Sequence, residues 1–335
     1  MRIAIDAMGG DHAPEAVVTG TLQAAREFAD VELILVGDEP RIAQFITAGG
    51  GKLPGNVRIQ HASEVIEADD EPVRAVRRKK DASMVVAGRM VKEKQADALV
   101  SAGNTGALMA TGLLIIGRLP GIHRPALAPM IPTLEGSGTL ALDLGANMDA
   151  SPEHLAQYAV MGTIYRSKVH QLDQPRVGLL NVGTEAMKGN ELTKAAYSQL
   201  EQLPIHFIGN VEARDILSGV CDVVVCDGFA GNIMLKSFEG AQKAIFTLLK
   251  QTLTSSALTK IAGLILKPKL RVFKQYDYRE HGGAPLLGID GIVIKSHGSS
   301  DAGAIKNAIG QARTALMNHL VDAIREEIKR NEGQL

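Results

Sequence analysis

The stretch "CDVVVCDGFAGNIMLKSFEG" (221–240) carries an apolar strand pattern straight into a carboxylate, Asp227, then two glycines and an amide, Asn232, where a helical pattern begins. Gly228 and Gly231 allow the backbone to turn tightly and approach a ligand. The start of a helix presents free N–H groups that favour an anion. Asp227 there is an acid, a base or an orienting group, although Asp after a strand is also a common helix cap. "SAGNTGALMATGLL" (101–114) repeats the design with Asn104 and Thr105. Two turns of this kind suit a phosphate.

Other apolar runs end in polar groups as well. Asp6 precedes "AMGGDHAP" with Gly9 and Gly10, "LDLGANMD" holds Asp143, Asn147 and Asp149, and "NVGTEAMKGN" holds Glu185 and Lys188. In an open parallel sheet the ligand lies beyond the carboxyl ends of the strands, so these residues are expected to converge on one edge. Lys188 is either a solvated lysine or a cation for an oxyanion or phosphate. His297 in "KSHGSS" and His12 are loop histidines, acid/base groups or plain surface residues. Cys226 lies in "VVVC" with no adjacent histidine, which reads as a buried, inert thiol.

The elements that must position these groups follow from short apolar runs. They are "RIAIDA", "VELILVGD" (31–38), "ADALVSAG" (96–103), "GTLALDLGAN" (138–147), "RVGLLNVG" (176–183), "IHFIGN" (205–210) and "CDVVVCDG" (221–228). Helical periodicity occupies 154–167 and 302–330, and Ser151 with Pro152 reads as an N-cap followed by proline at the first helical position. Strands alternating with helices predict an α/β fold, a mostly parallel sheet covered on both faces.

Composition narrows the classes. The chain has 335 residues, enough for one large α/β unit or two lobes, and 45% are hydrophobic, which argues against disorder. A formal net charge of −1 gives no basic field for nucleic acid. Cys221 and Cys226 are the only cysteines, read as reduced thiols of a cytoplasmic protein. No signal-peptide pattern and no membrane-spanning apolar run is present. "AGGGKLPGN" (48–56) fails the phosphate-loop pattern because Leu53 follows Lys52. "VRAVRRKKDAS" (73–83) is a basic helix face, a solvated surface or a dock for an acidic partner. From Gly240 to Tyr276 no acidic residue occurs, while Lys260 and Lys267 interleave with Leu258, Ile261, Leu264 and Ile265. That segment reads as a helical hairpin, over 236–276, that pairs with a twin, lies on anionic lipid with its tip, or does both.

Together, "DAMGGDHAP", "SAGNTGA", "LDLGAN", "NVGTEAMKG", "CDGFAGNIMLKSFEG", "GGAPLLGIDG" and "KSHGSS", in this order along nearly the whole chain, resemble the bacterial PlsX family of phosphate acyltransferases. One departure is His281, where an aromatic residue is expected. The resemblance implies one catalytic domain over 1–335 with a three-layer α/β/α fold like that of phosphotransacetylase and the isocitrate dehydrogenase group. It implies phospholipid synthesis by transfer of an acyl group from acyl carrier protein to inorganic phosphate, with no metal and no nucleotide cofactor. A homodimer at the inner face of the cell membrane is implied too, with a glycerol-3-phosphate acyltransferase downstream. On this reading Lys188 stabilises the oxyanion or the departing thiolate, Asp227 deprotonates or orients phosphate, and Asn232 fixes the carbonyl or the phosphate. Asp6, Gly9, Gly10, Asn104, Thr105, Asp143, Asn147, Gly228, Gly231 and His297 complete the pocket, and Leu258, Lys260, Ile261, Leu264, Ile265 and Lys267 face the membrane. Competing readings are a phosphotransacetylase using acyl-coenzyme A, an isocitrate-type dehydrogenase with Asp6, Asp143 and Asp227 as metal ligands, and a membrane-surface scaffold without catalysis.

Overall fold

The structure is a computed structural model and describes residues 1–48, 51–270 and 283–331. Its strands are β1 Arg2–Asp6, β2 Glu32–Gly37, β3 Val57–His61, β4 Ala98–Ser101, β5 Ala126–Leu127, β6 Met130–Ile131, β7 Thr139–Leu142, β8 Arg176–Asn181, β9 His206–Glu212, β10 Val223–Val225, β11 Ala284–Leu287 and β12 Ile292–Lys295. All seven apolar runs are strands. They form two sheets, ordered β3-β2-β1-β4-β12-β11-β5 and β6-β7-β10-β8-β9. Parallel pairing dominates, and the antiparallel exceptions are β11 with β12, β11 with β5, and β6 with β7.

The two sheets meet along the segment 126–131. Pro129 has no N–H to give to a ladder, and the strand breaks there. Hydrogen bonds still cross the break. Ala128 N–H donates to the Pro285 carbonyl at 3.0 Å, Ala141 N–H to Pro129 at 3.0 Å and Leu144 N–H to Leu127 at 3.3 Å. One apolar core spans both sheets, including Ile3, Ile5 and Val100 of the first and Leu140, Val177 and Val223 of the second.

Alternation along each strand sets the layers. Ile3 and Ile5 face the helices Glu15–Glu27 and Ala302–Met317, whereas Ala4, Ile34 and Leu99 face Ser83–Lys92 and Thr105–Thr111. In the second sheet the helix Pro152–His170 covers one face. Cys221, Cys226 and Val224 pack with Met234 on the other. The chain is therefore α/β with helices on both faces of parallel-dominated sheets. Ser151 caps its helix through a capping box with His154, with Pro152 first in the helix.

Two features differ from the pattern-based expectation. The 302–330 stretch is two helices, Ala302–Met317 and Leu320–Arg330, because His319 adopts a left-handed backbone (φ 51°) between them. β3, β5, β6, β11 and β12 were not marked by apolar runs. β3 is an edge strand with polar Arg58 and Gln60, and β5 and β6 have two residues each.

The hairpin consists of the helices Gly228–Thr254 and Ala257–Leu270 joined by a tight turn at Ser255 and Ser256. The first has 27 residues and is roughly 40 Å long. Lys267 belongs to the second helix, and the rest of the expected hairpin, from Arg271 on, lies outside the described residues, as does His281.

The helices Glu15–Glu27 and Ala302–Met317 approach closely at Gly20. A methyl group there would run into the Ala302 carbonyl and lie 2.8 Å from Ile305 Cβ. Alanine gains up to about 1 kcal/mol of helix propensity over glycine, but overpacking costs about 1–3 kcal/mol. Gly20→Ala is expected to be destabilising in urea unfolding. A net gain in stability would show that the two helices separate freely.

Candidate active site

β1, β4 and β12 run parallel and side by side, so their carboxyl ends bring Asp6, Ser101 and Lys295 together. The Asp6 carboxylate is buried. It accepts hydrogen bonds from Ser83 Oγ (2.5 Å), Ser101 Oγ (2.6 Å) and Met8 N–H (3.3 Å). Burial raises its pKa, and these donors counter the shift only in part. Gly9 is required here, because a Cβ would strike the Asp6 carboxylate and lie 2.7 Å from Gly103 N. Asp6 and Gly9 thus form the floor beneath the glycine turns and do not line the cavity above them.

At the matching edge of the second sheet Asp143 does similar work. Its carboxylate accepts from Leu127 N–H (3.0 Å) and Asn147 N–H (2.6 Å), and burial raises its pKa to about 6. The Asn147 side chain donates to the Pro125 carbonyl (2.7 Å) and pairs with Tyr158 Oη (2.8 Å). Both residues are committed within the protein.

Asp227 is the N-cap of the long helix. Its Oδ1 accepts from Phe229 N–H (3.0 Å) and Ala230 N–H (2.9 Å), Gly228 N–H donates to the Asn147 carbonyl, and Gly231 N–H to the Asp227 carbonyl. This corrects the expectation of an open anion seat at that helix start, since its donors are taken from within the chain. Gly228 and Gly231 are packing glycines. A Cβ on Gly228 would lie 2.6 Å from the Asn147 carbonyl oxygen, and one on Gly231 would lie 2.7 Å from Leu144 Cδ2. Among the described residues, no group of three or more His, Cys, Asp or Glu side chains could hold a metal ion, so Asp6, Asp143 and Asp227 do not converge.

A cavity of about 1010 Å³ opens over the strand ends. Its polar end contains Gly10, Asp11, Asn104, Thr105, Lys295, Ser296, His297 and Ser300. Its other walls are apolar and include Pro129, Ile131, Leu235, Phe238, Ile245 and Leu249. Asn232 joins the two parts from the first turns of the long helix. Of the expected site residues the structure brings together Gly10, Asn104, Thr105, Asn232 and His297. Lys188 is exposed, in the loop between β8 and the helix Glu191–Leu200, and does not line the cavity.

Asn104 also caps its helix by accepting from Ala107 N–H at 3.0 Å. His297 Nδ1 lies 2.8 Å from Ser299 Oγ, and burial followed by the charge of Lys295 pushes the His297 pKa down. Lys236, on the cavity wall, pairs with Glu239 at 2.8 Å. Lys295 and the apolar wall escape a motif-based reading. The available signal for Lys295 was a lysine ending "GIVIK", an apolar run directly ahead of the Ser-His-Gly-Ser turn. Both cysteines are buried, and burial raises Cys221 to about 12 and Cys226 well above its ordinary value.

This arrangement has the fold of the phosphotransacetylases. The phosphotransacetylase from Streptococcus pyogenes superposes with a TM-score of 0.60 at 19% identity, covering 95% of this chain and 94% of the other. The EutD phosphotransacetylase from Staphylococcus aureus gives 0.57 at 18% identity, covering 94% of each. Residues 1–322 match the family described as fatty acid synthesis protein. Phosphate acyltransferases are similar along essentially the whole chain. That of Geobacillus thermodenitrificans is 56% identical over 331 residues, covering 98% of this chain and 99% of its own, and that of Oceanobacillus iheyensis 59% identical over 314 residues, covering 93% of each. The chain belongs to this family of acyltransferases, as its motifs indicated.

The capping geometry of Asp227 separates its structural from its chemical use. Asp227→Ala is expected to lose about 1 kcal/mol of stability, and Asp227→Asn, which retains a capping oxygen, only a small fraction of that. Equal losses in thermal melting of the two variants would show that the carboxylate charge matters beyond the cap.

Proposed function

We propose that this acyltransferase moves a long-chain acyl group from the thioester of acyl carrier protein to inorganic phosphate, giving acyl phosphate and free carrier protein. The observation that carries this reading is the two-part cavity, polar at the strand ends and apolar along the long helix. An anion fits beside Asn104, Thr105, Ser296 and Lys295, and a hydrocarbon chain fits against Leu235, Phe238 and Ile245. Holding both in one cavity places a phosphate oxygen against the thioester carbonyl, and orientation alone lowers the barrier of such a two-substrate step substantially. Asn232, which lines the same cavity, is proposed to hold the carbonyl. Phosphate is itself the nucleophile, so the step needs no covalent intermediate on the protein.

The acidic carrier is proposed to dock on the basic helix Pro72–Arg78. Arg74, Arg77 and Arg78 are exposed there, and the preceding residues Ile66, Glu67 and Ala68 form part of the cavity wall. Lys79 is engaged internally with Asp70.

The test is to mix the protein with a long-chain acyl carrier protein and phosphate and trap acyl phosphate with hydroxylamine. Phosphate-dependent acyl hydroxamate is expected. Product formed only from acyl-coenzyme A would reassign the donor, and absence of product from either would remove the reading. The role proposed for Lys188, charge on the oxyanion or the departing thiolate, requires the loop after β8 to come over the donor. Lys188→Ala tests it: tenfold or greater loss of turnover at unchanged melting temperature keeps the role, and near-normal turnover ends it.

A homodimer resting on anionic lipid is also proposed, through the hairpin. Leu258 (78% exposed), Ile261, Leu264 and Ile265 form an uncovered apolar surface beside Lys260, and Ile245 and Leu248 are exposed on the first helix. No helix among the described residues is long and apolar enough to cross a membrane, and the association proposed is surface contact. Cosedimentation with anionic vesicles is expected at low salt, to weaken at high salt, and to be lost in Leu264→Asp/Ile265→Asp. Binding unaffected by salt and by this double variant would place the contact elsewhere.

A further inference from the structure

We propose that Lys295 is the proton-carrying cation of this site: its ammonium group holds phosphate against the thioester and passes a proton to the departing sulfur. The inference rests on the acyl-transfer reading above and assigns a residue to its chemistry.

Lys295 ends β12, opposite Ser101 of β4 and Ala284 of β11. It is only 8% exposed, and it lines the polar end of the cavity. Its Nζ donates to the Ser296 carbonyl, and among the described residues it has neither a second hydrogen bond nor an ion pair. A buried ammonium with no ion pair is costly even near the charges of Asp6 and Asp11, and a hydrogen-bonded anion relieves that cost. Neighbouring acids are otherwise placed. Asp6 lies below, taken up by Ser83 and Ser101, and Glu239 pairs with Lys236 on the cavity wall. Asp11, Glu67 and His297 are the other titratable groups of the lining. Burial, partly offset by Asp6 and Asp11, pulls the Lys295 pKa from 10.5 to about 8. A group titrating there both gives and takes a proton near neutral pH.

The proton and electron balance closes without another reactant. An oxygen of hydrogen phosphate forms the C–O bond, and the carbonyl pair moves onto its oxygen. Collapse of the tetrahedral species breaks the C–S bond, and its pair leaves on sulfur. The Lys295 ammonium gives that sulfur a proton. The resulting neutral amine takes back the proton carried by the transferred phosphate. Thioester and hydrogen phosphate dianion thus become acyl phosphate dianion and thiol, with the lysine restored.

The test compares wild type, Lys295→Met and Lys295→Arg in the hydroxamate assay across pH, each with a melting curve. Lys295→Met keeps the buried apolar stem and is expected to lose at least about 100-fold in kcat/KM, as for loss of an oxyanion-stabilising donor. It should also raise the KM for phosphate more than that for the acyl donor. Wild-type kcat/KM should fall as pH rises through about 8, where the ammonium of the free enzyme is lost. Arginine stays charged throughout, so Lys295→Arg should show no such alkaline limb. A folded Lys295→Met within threefold of wild type, or an unchanged limb in Lys295→Arg, overturns the proposal. If Lys295→Met does not fold, the limb in Lys295→Arg decides. Should wild type form no acyl hydroxamate, the acyl-transfer reading falls, and with it the relay. Calorimetry with inorganic phosphate then decides the anion-holding half: binding lost in Lys295→Met supports it, and binding unchanged overturns it.

Discussion

Two carboxylates buried at strand ends hold the architecture of this site. A carboxyl group taken out of water must find donors, or the fold carries a penalty of several kcal/mol. Asp6 finds them in two serine hydroxyls and a backbone N–H, Asp143 in the N–H groups of Leu127 and Asn147. Meeting that need draws the loop after β1, the end of β4 and the helix beginning at Ser83 onto one point. It likewise draws the 126–131 junction and the loop after β7 onto another. Asn104 with Thr105, and Leu144 with Gly145, are cavity walls because the segments bearing them follow or flank these two anchors.

The long helix Gly228–Thr254 ties the remaining parts to those anchors. Asp227 closes its first turn, and Gly228 and Gly231 let it press against Asn147 and Leu144 without side chains between. From that fixed start its next turns supply Asn232 and then the apolar wall of Leu235, Phe238 and Ile245. Beyond its far end the second helix of the hairpin carries the exposed Leu258, Ile261, Leu264 and Ile265. One element thus connects the polar end of the cavity, its apolar wall and the hairpin.

Much of the fold was legible in local patterns. Each of the seven apolar runs is a strand, since β-branched and aliphatic residues bounded by turn formers describe a buried strand well. β3 escaped because an edge strand carries polar residues such as Arg58 and Gln60, and β5 and β6 because two residues make no pattern. The break at His319 escaped because one left-handed residue leaves the periodicity of both flanking helices intact.

The site was legible in kind and less so in membership. Residue type and spacing were enough to show that polar groups end the strands and that the fold is α/β, and the motifs in their order carried the resemblance to a phosphate acyltransferase family. Only the tertiary structure decided which polar groups reach the cavity. Asp6, Asp143 and Asp227 end strands as clearly as Lys295 does. Packing between distant segments turns Asp6 and Asp143 toward serine hydroxyls and backbone N–H groups and leaves the lysine at the cavity's polar end, whereas Asp227 is turned by the first turn of its own helix. Depth behind a glycine turn depends on which distant segment packs there, and spacing along the chain does not encode it.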